Sequence, residues 1–133
     1  MRIGRLAVLL CGAMLVPGCS SDKRVGVEGT IKYDGEPIGV GTITFLPAAQ
    51  PGITCGGRIE NGRYKIEPEF GPMPGQHHVE IRWAKPTGKK YHNEFKEEFD
   101  VTREGLPDKY HANSILTATI KPGSNTINFD LEK

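Results

Sequence analysis

Cysteine, charge of one sign and long apolar runs are all scarce in this chain. Three Cys in 133 residues exclude a disulfide-stapled scaffold. Lys and Arg number 17 against 16 Asp and Glu, a formal net charge of +1. Nucleic-acid-binding domains carry a basic excess on one face, so no nucleic-acid partner is expected. After residue 16 there is no apolar run long enough for a membrane helix, which excludes a multi-pass membrane protein. No stretch beyond about two turns keeps a helical period, which excludes a helical bundle. There is no internal repeat, no G-x-S-x-G around Ser114, and no glycine run matching a phosphate loop. Glycine and proline are plentiful instead: 17 and 10 residues, a fifth of the chain. That share is high for a helical protein and short of the low-complexity range.

The one apolar run lies at the amino end. Arg2 and Arg5 precede residues 6–16 (LAVLLCGAMLV), with no acid among them. Eleven helical residues would cover roughly 16 Å, about half a bilayer core, so the segment reads as a secretory signal rather than a membrane span. It runs into Val16-Pro17-Gly18-Cys19 and then Ser20-Ser21-Asp22. These residues resemble a bacterial lipoprotein signal. The resemblance implies cleavage between Gly18 and Cys19 and diacylglycerol on Cys19; Val16 stands where that pattern most often has Leu. Cys11, preceded by bulky Leu10, is the weaker candidate. Two acyl chains anchor a protein stably where one does not. The expected organisation is therefore a signal peptide at 1–18, a lipidated tether at 19–24 and one domain at 25–133, lipid-anchored to a membrane of the cell envelope on its extracytoplasmic side. Without Arg2 and Arg5 the mature chain has 15 cations against 16 acids. Only Cys55 then remains free, and it reads as a small buried hydrophobe.

The body alternates with period two. Val25, Val27, Ile31 and Tyr33 share one side of a first strand, followed by turn chemistry at Asp34-Gly35-Glu36-Pro37. Residues 41–46 and 53–59 read as further strands, the latter with a bulge expected at Gly56-Gly57. Asn61-Gly62 between Ile59 and Tyr64 is a hairpin signal, since a type I′ turn needs positive φ at both positions. A Pro- and Gly-rich loop over 67–75 leads to a strand at 77–83, with Val79, Ile81 and Trp83 on one side. Residues 114–120 and 125–131 supply the last strands. Residues 85–109 are the least regular, an excursion with a short edge strand, although the spacing of Phe95 and Phe99 also suits one helical turn. Leu106-Pro107-Asp108-Lys109-Tyr110 reads as its docking end. About seven strands with turns every eight to twelve residues predict an all-β fold, a single antiparallel β-sandwich of the immunoglobulin-like kind.

The order of these motifs is similar to that of small bacterial envelope lipoproteins with a transthyretin-like, or carboxypeptidase regulatory-like, domain. The matching elements run from Val27-Glu28-Gly29-Thr30-Ile31 through Gly35-Glu36-Pro37, Gly41-Thr42-Ile43-Thr44-Phe45, Asn61-Gly62-Arg63-Tyr64 and Gly71-Pro72-Met73-Pro74-Gly75 to Leu106-Pro107-Asp108-Lys109-Tyr110. The resemblance implies a non-catalytic extracytoplasmic module. Transthyretin-like chains also include 5-hydroxyisourate hydrolases, which end in Tyr-Arg-Gly-Ser; this chain ends Asn128-Phe129-Asp130-Leu131-Glu132-Lys133, so that activity is not expected.

Few residues suggest chemistry. His77 and His78 are adjacent, so on a strand they point to opposite faces and do not share a metal. The histidines read as solvent-facing, and no metal or cofactor is expected. Glu94, Glu97, Glu98 and Asp100 stand among Lys96 and Arg103 and read as a solvated, charge-balanced face rather than an acid–base pair. The candidate ligand-binding set is Trp83, Tyr91, His92 and Tyr110, because aromatic faces with a few polar groups hold sugars and peptides. The expected function is a membrane-anchored, non-enzymatic structural or interaction module with an envelope protein or glycan as partner. The second reading is a carbohydrate- or peptide-binding domain built on the aromatics of 83–110. Burial of Trp83 and Tyr110 would favour the first reading and their exposure the second.

Overall fold

The computed structural model describes residues 23–49 and 52–133. The expected signal peptide, its cleavage site and Cys19 lie outside the described residues.

The described chain is all-β, with two short 3₁₀ turns and no α-helix. Its strands are β1 (Val27–Tyr33), β2 (Glu36–Pro37), β3 (Gly41–Pro47), β4 (Cys55–Glu60), β5 (Arg63–Ile66), β6 (Gly75–His92), β7 (Glu98–Glu104), β8 (Leu116–Ile120), β9 (Asn125–Thr126) and β10 (Phe129–Leu131). Seven of the ten have four residues or more. Ladder bonds join all ten into one sheet, in the order β10-β1-β5-β4-β3-β6-β7, with β8 beside β6 and both β2 and β9 beside β1. Pairing is antiparallel except where β1 meets β9 and β10. The sheet does not close on itself.

Alternation explains the core. Val27 and Ile31 of β1, Ile43 and Phe45 of β3, Ile59 of β4, Tyr64 and Ile66 of β5, and Val79 and Ile81 of β6 are all buried, and those that share a strand are two or four residues apart, as one face of a strand requires. The alternate residues, such as Glu28, Thr42, Arg58, Lys65 and Glu80, lie on the other face. The sheet curls over this single apolar face. Residues 105–115 cross its open side, where Leu106 and Tyr110 enter the core.

Both expected tight turns form. Asn61 and Gly62 have φ of 50° and 73°, and Asp34 and Gly35 have 53° and 83°, so each joins its strands through a two-residue turn whose twist matches theirs. The bulge expected at Gly56-Gly57 is absent: Thr44↔Gly56 and Ile43↔Gly57 stay in continuous register. Here the small residues serve packing, since a Cβ on Gly57 would come within 2.9 Å of Ile66. The register shift falls instead between Pro86 and Lys90, where Thr87 Oγ1 donates to the Val101 carbonyl at 2.8 Å.

The last predicted strand is broken into β9 and β10 for a specific reason. Gly29 faces inward beside Tyr64, its partner across β1 and β5. The Ile127 carbonyl fills the space a side chain would take: a Cβ on Gly29 would sit 1.8 Å from that oxygen. The Tyr64 hydroxyl donates to the same oxygen at 2.7 Å. Asn128 Oδ1 then accepts from the Thr30 N–H at 2.9 Å, a side chain standing in for a ladder bond.

The excursion is more regular than its sequence suggests. β6 runs on past Trp83, and its distal half pairs with β7 from Ala84↔Glu104 to His92↔Glu98. The result is a two-stranded arm whose ladder, set by the seven residues of β7, reaches about 23 Å beyond Trp83 at roughly 3.3 Å per residue. A helical turn at Phe95 and Phe99 does not form. Asn93 builds the tip instead: its Oδ1 accepts from the Phe95 and Glu97 N–H groups at 2.9 and 3.0 Å. Lys96 completes the turn with φ of 62°.

Candidate functional site

Strand direction decides where each candidate residue lies. β1, β4 and β6 run one way and β3, β5 and β7 the other. The chain therefore enters at residues 23–25 at one end of the sheet, and the arm projects from the opposite end. The entry is pinned by the Val25 N–H on the Pro72 carbonyl at 3.0 Å and by Arg24 on the Glu69 carbonyl at 2.9 Å.

The four ligand-binding candidates do not form one cluster. Tyr110 is buried at 5 % exposure; its hydroxyl donates to the Glu132 carbonyl at 2.7 Å and accepts from the Glu132 N–H at 2.8 Å. It fastens the end of the excursion to the last strand. Trp83 is half-buried against the core. Tyr33 meets its ring edge-on at 6.1 Å, Lys85 Nζ lies over it at 5.0 Å, and Gly105 packs flat on it, since a Cβ there would come within 2.5 Å of the ring. The indole Nε1 is buried without a hydrogen-bond partner. Tyr91 and His92 stand far out on the arm, exposed. The Tyr91 ring stacks on Phe99 with centroids 5.5 Å apart, and His92 Nε2 lies 3.6 Å from Glu98.

The histidine expectation needs correction. His78 and His92 face solvent, but His77 and His111 are buried at 3 % and 6 %. His77 lies edge-on to Phe45 with its Nδ1 3.1 Å from the Gly75 carbonyl. His111 Nε2 lies 3.1 Å from the Leu106 carbonyl. His77 sits on the inner face because the alternation of β6 places it there, and His111 is buried just after the 3₁₀ turn Asp108–Tyr110; each satisfies one ring nitrogen through a backbone carbonyl. Among the described residues, no group of three or more His, Cys, Asp or Glu side chains converges as metal ligands would. Cys55 is 6 % exposed with Sγ 3.5 Å from the Ile53 carbonyl. Burial pushes its thiol pKa up, against the opposing pull of Arg24, so the reactive thiolate is disfavoured.

Two surfaces stand out, the first with no signal in the sequence and the second only partly anticipated through Tyr91. One is an open groove of about 770 Å³ on the outer face of β4, β5 and β1, lined by Glu28, Thr30, Arg58, Arg63, Lys65 and Asn128 among others. Two of its charges pair within it, Arg58 Nε lying 2.9 Å from Glu60. The other is the aromatic face of the arm. Tyr91, Phe99 and Phe95 are exposed by 52 %, 43 % and 75 %, and Tyr91 pairs directly with Phe99 across the two strands. The alternation of Phe99 and Val101 was a legible signal for β7. Its pairing with Tyr91 was not, because the bulge at residues 87–89 within the arm shifts the register between Pro86 and Lys90.

No protein-family model matches the chain, and no curated protein or solved structure is significantly similar to it.

Proposed function

We propose that the chain is a lipid-anchored, non-catalytic binding module of the bacterial envelope, with Cys19 acylated after cleavage behind Gly18 and a transthyretin-like β-sandwich body formed as the curled sheet folds over its core. The observation that carries this reading is the placement of the two ends. A body tethered through residues 19–24 is held at the end where β1 begins, and the arm with its aromatic residues points away from that anchor. Six tether residues span at most about 20 Å, which keeps the body close to the bilayer and its arm tip tens of ångströms out. The burial of Tyr110 and half-burial of Trp83 favour a scaffold over a sugar platform at the body itself. Intact mass of the protein purified from a bacterial membrane fraction tests the anchor. A diacylglycerol increment that Cys19→Ser abolishes is expected; cytosolic protein that keeps Met1 refutes the reading.

The second reading, a carbohydrate- or peptide-binding domain, is favoured by the exposed Tyr91–Phe99 stack. Pull-down with cell-wall glycans should then weaken at least several-fold in Tyr91→Ala, and equal retention of parent and variant sinks it.

A further inference from the structure

The arm is built in a way that leaves it incomplete. A two-stranded ribbon standing alone in water is marginally stable, because it lacks a third strand or a packed face. Here the odd-numbered residues of the arm continue the inner face of the sheet. Trp83, Lys85 and Tyr91 from β6 and Phe99, Val101 and Arg103 from β7 lie on one side, as the Tyr91–Phe99 stack and the position of Lys85 over Trp83 confirm. In the body this side is covered by core; on the arm it faces water.

Charge is sorted along the length of the arm. Lys85 stands directly opposite Arg103 at the base of the arm. Like charges facing each other across a ladder are unfavourable, and neither has an acidic partner within 4 Å among the described residues. At the tip, among the described residues, Glu94 has no cation partner within 4 Å and the Glu97 carboxylate is held by the Asn93 amide at 2.7 Å. Lys96 leaves the tip with an excess of one negative charge. Glu98 pairs separately with Lys90 on the other face, where His92 Nε2 also lies 3.6 Å from it.

We propose that the aromatic face of the arm is covered by the same face of a second copy, the two arms lying antiparallel about a two-fold axis. That arrangement sets the acidic tip of each arm against the Lys85–Arg103 pair of the other. Phe99 lies midway between Phe95 at the tip and Arg103 at the base, so the axis passes at the Tyr91–Phe99 stack and each stack meets its own copy. A two-fold interface requires this kind of self-complementary patch, and aromatic faces gain from offset stacking beyond the area they bury. The edges of the arm suit strand addition poorly. Pro86 and the bulge interrupt one edge. Pairing β7 with its own copy about Val101 would set Glu98 against Glu104. The face is therefore the surface that pairs. This inference rests on the arm alone and stands or falls independently of the lipid anchor.

Sedimentation velocity of the purified full chain across micromolar to submillimolar concentration tests it. A reversible dimer is expected. Lys85→Glu with Arg103→Glu should weaken it by roughly tenfold or more at low salt. Adding Glu94→Lys and Glu97→Lys to that same chain should restore affinity to within about threefold, because every copy supplies both ends. Tyr91→Ser with Phe99→Ser should abolish the dimer while the thermal transition of the body remains. A chain that stays monomeric throughout overturns the proposal. So does a dimer indifferent to the charge reversal, or one that the tip reversal does not restore.

Discussion

Replacing Tyr110 by Phe removes one oxygen and keeps the ring. The hydroxyl serves two backbone bonds to Glu132, one as donor and one as acceptor, at 2.7 and 2.8 Å. The side chain is 5 % exposed, so water replaces neither bond fully in the variant. At about 1 kcal/mol per neutral bond the loss is about 2 kcal/mol. For a body of this size that lowers Tm by roughly 8 °C. The urea m-value should not change, because the surface exposed on unfolding is the same. Tyr110→Ala also removes the ring from the core and should cost about 3–5 kcal/mol. The contacts predict coupling as well: in a chain ending at Leu131, which lacks the partner residue, Tyr110→Phe should cost under about 0.5 kcal/mol. Equilibrium urea unfolding of the five proteins gives all the values. Parent and Tyr110→Phe agreeing within about 0.3 kcal/mol would refute the reasoning, as would an equal cost in the shortened chain.

The remaining predictions concern the seams of the sheet. Gly29→Ala places a methyl group 1.8 Å from the Ile127 carbonyl, so β9 and β10 must move off β1. Urea unfolding should show a loss at the upper end of overpacking costs, about 3 kcal/mol. Gly105→Ala meets the Trp83 ring at 2.5 Å and should alter Trp83 fluorescence together with stability; an unchanged emission spectrum refutes the contact. Asn125→Asp removes the amide donor to the Lys121 carbonyl at 2.8 Å and puts a carboxylate at 8 % exposure; about 2 kcal/mol should be lost at neutral pH and partly regained in acid, read by urea unfolding at both pH values. Burial raises the pKa of both Tyr64 and Cys55 above their ordinary values of 10.0 and 9.0. The unfolded chain then ionises first, so stability is full below about pH 9 and falls as pH rises from there. Alkaline unfolding curves of Tyr64→Phe should be flatter above pH 10 than those of the parent, and parallel curves would contradict the assignment.

Alternation and turn chemistry were readable because each depends on neighbours in the chain. Val27 and Ile31, Ile43 and Phe45, and Val79 and Ile81 declared their inward side by spacing alone. Asn61-Gly62 declared its turn because few other pairs accept positive φ twice in succession. The candidate site was legible only in part. Tyr110 and Trp83 belong to the body, through contacts with Glu132, Tyr33 and Gly105 that no local pattern announces. The misreading of His77 and His111 has a similar cause. Their polarity argued for solvent, but the inward positions they occupy also offer a backbone carbonyl to bond.

Composition and period were thus enough to establish strands rather than helices, the side of each strand that is buried, and the two-residue turns, since all of these follow from φ/ψ preference and the two-residue repeat of a pleated chain. They also marked the amino-terminal run as an expected export signal. The joining of all ten strands into one sheet, the break between β9 and β10, and the course of residues 85–104 as a projecting arm were settled by contacts between residues far apart in the chain. Gly29 admits the Ile127 carbonyl to Tyr64, and β7 finds its partner across a bulge. Such pairings depend on which distant groups reach one another once the core has formed, and that information is held in three dimensions rather than in any one stretch of residues.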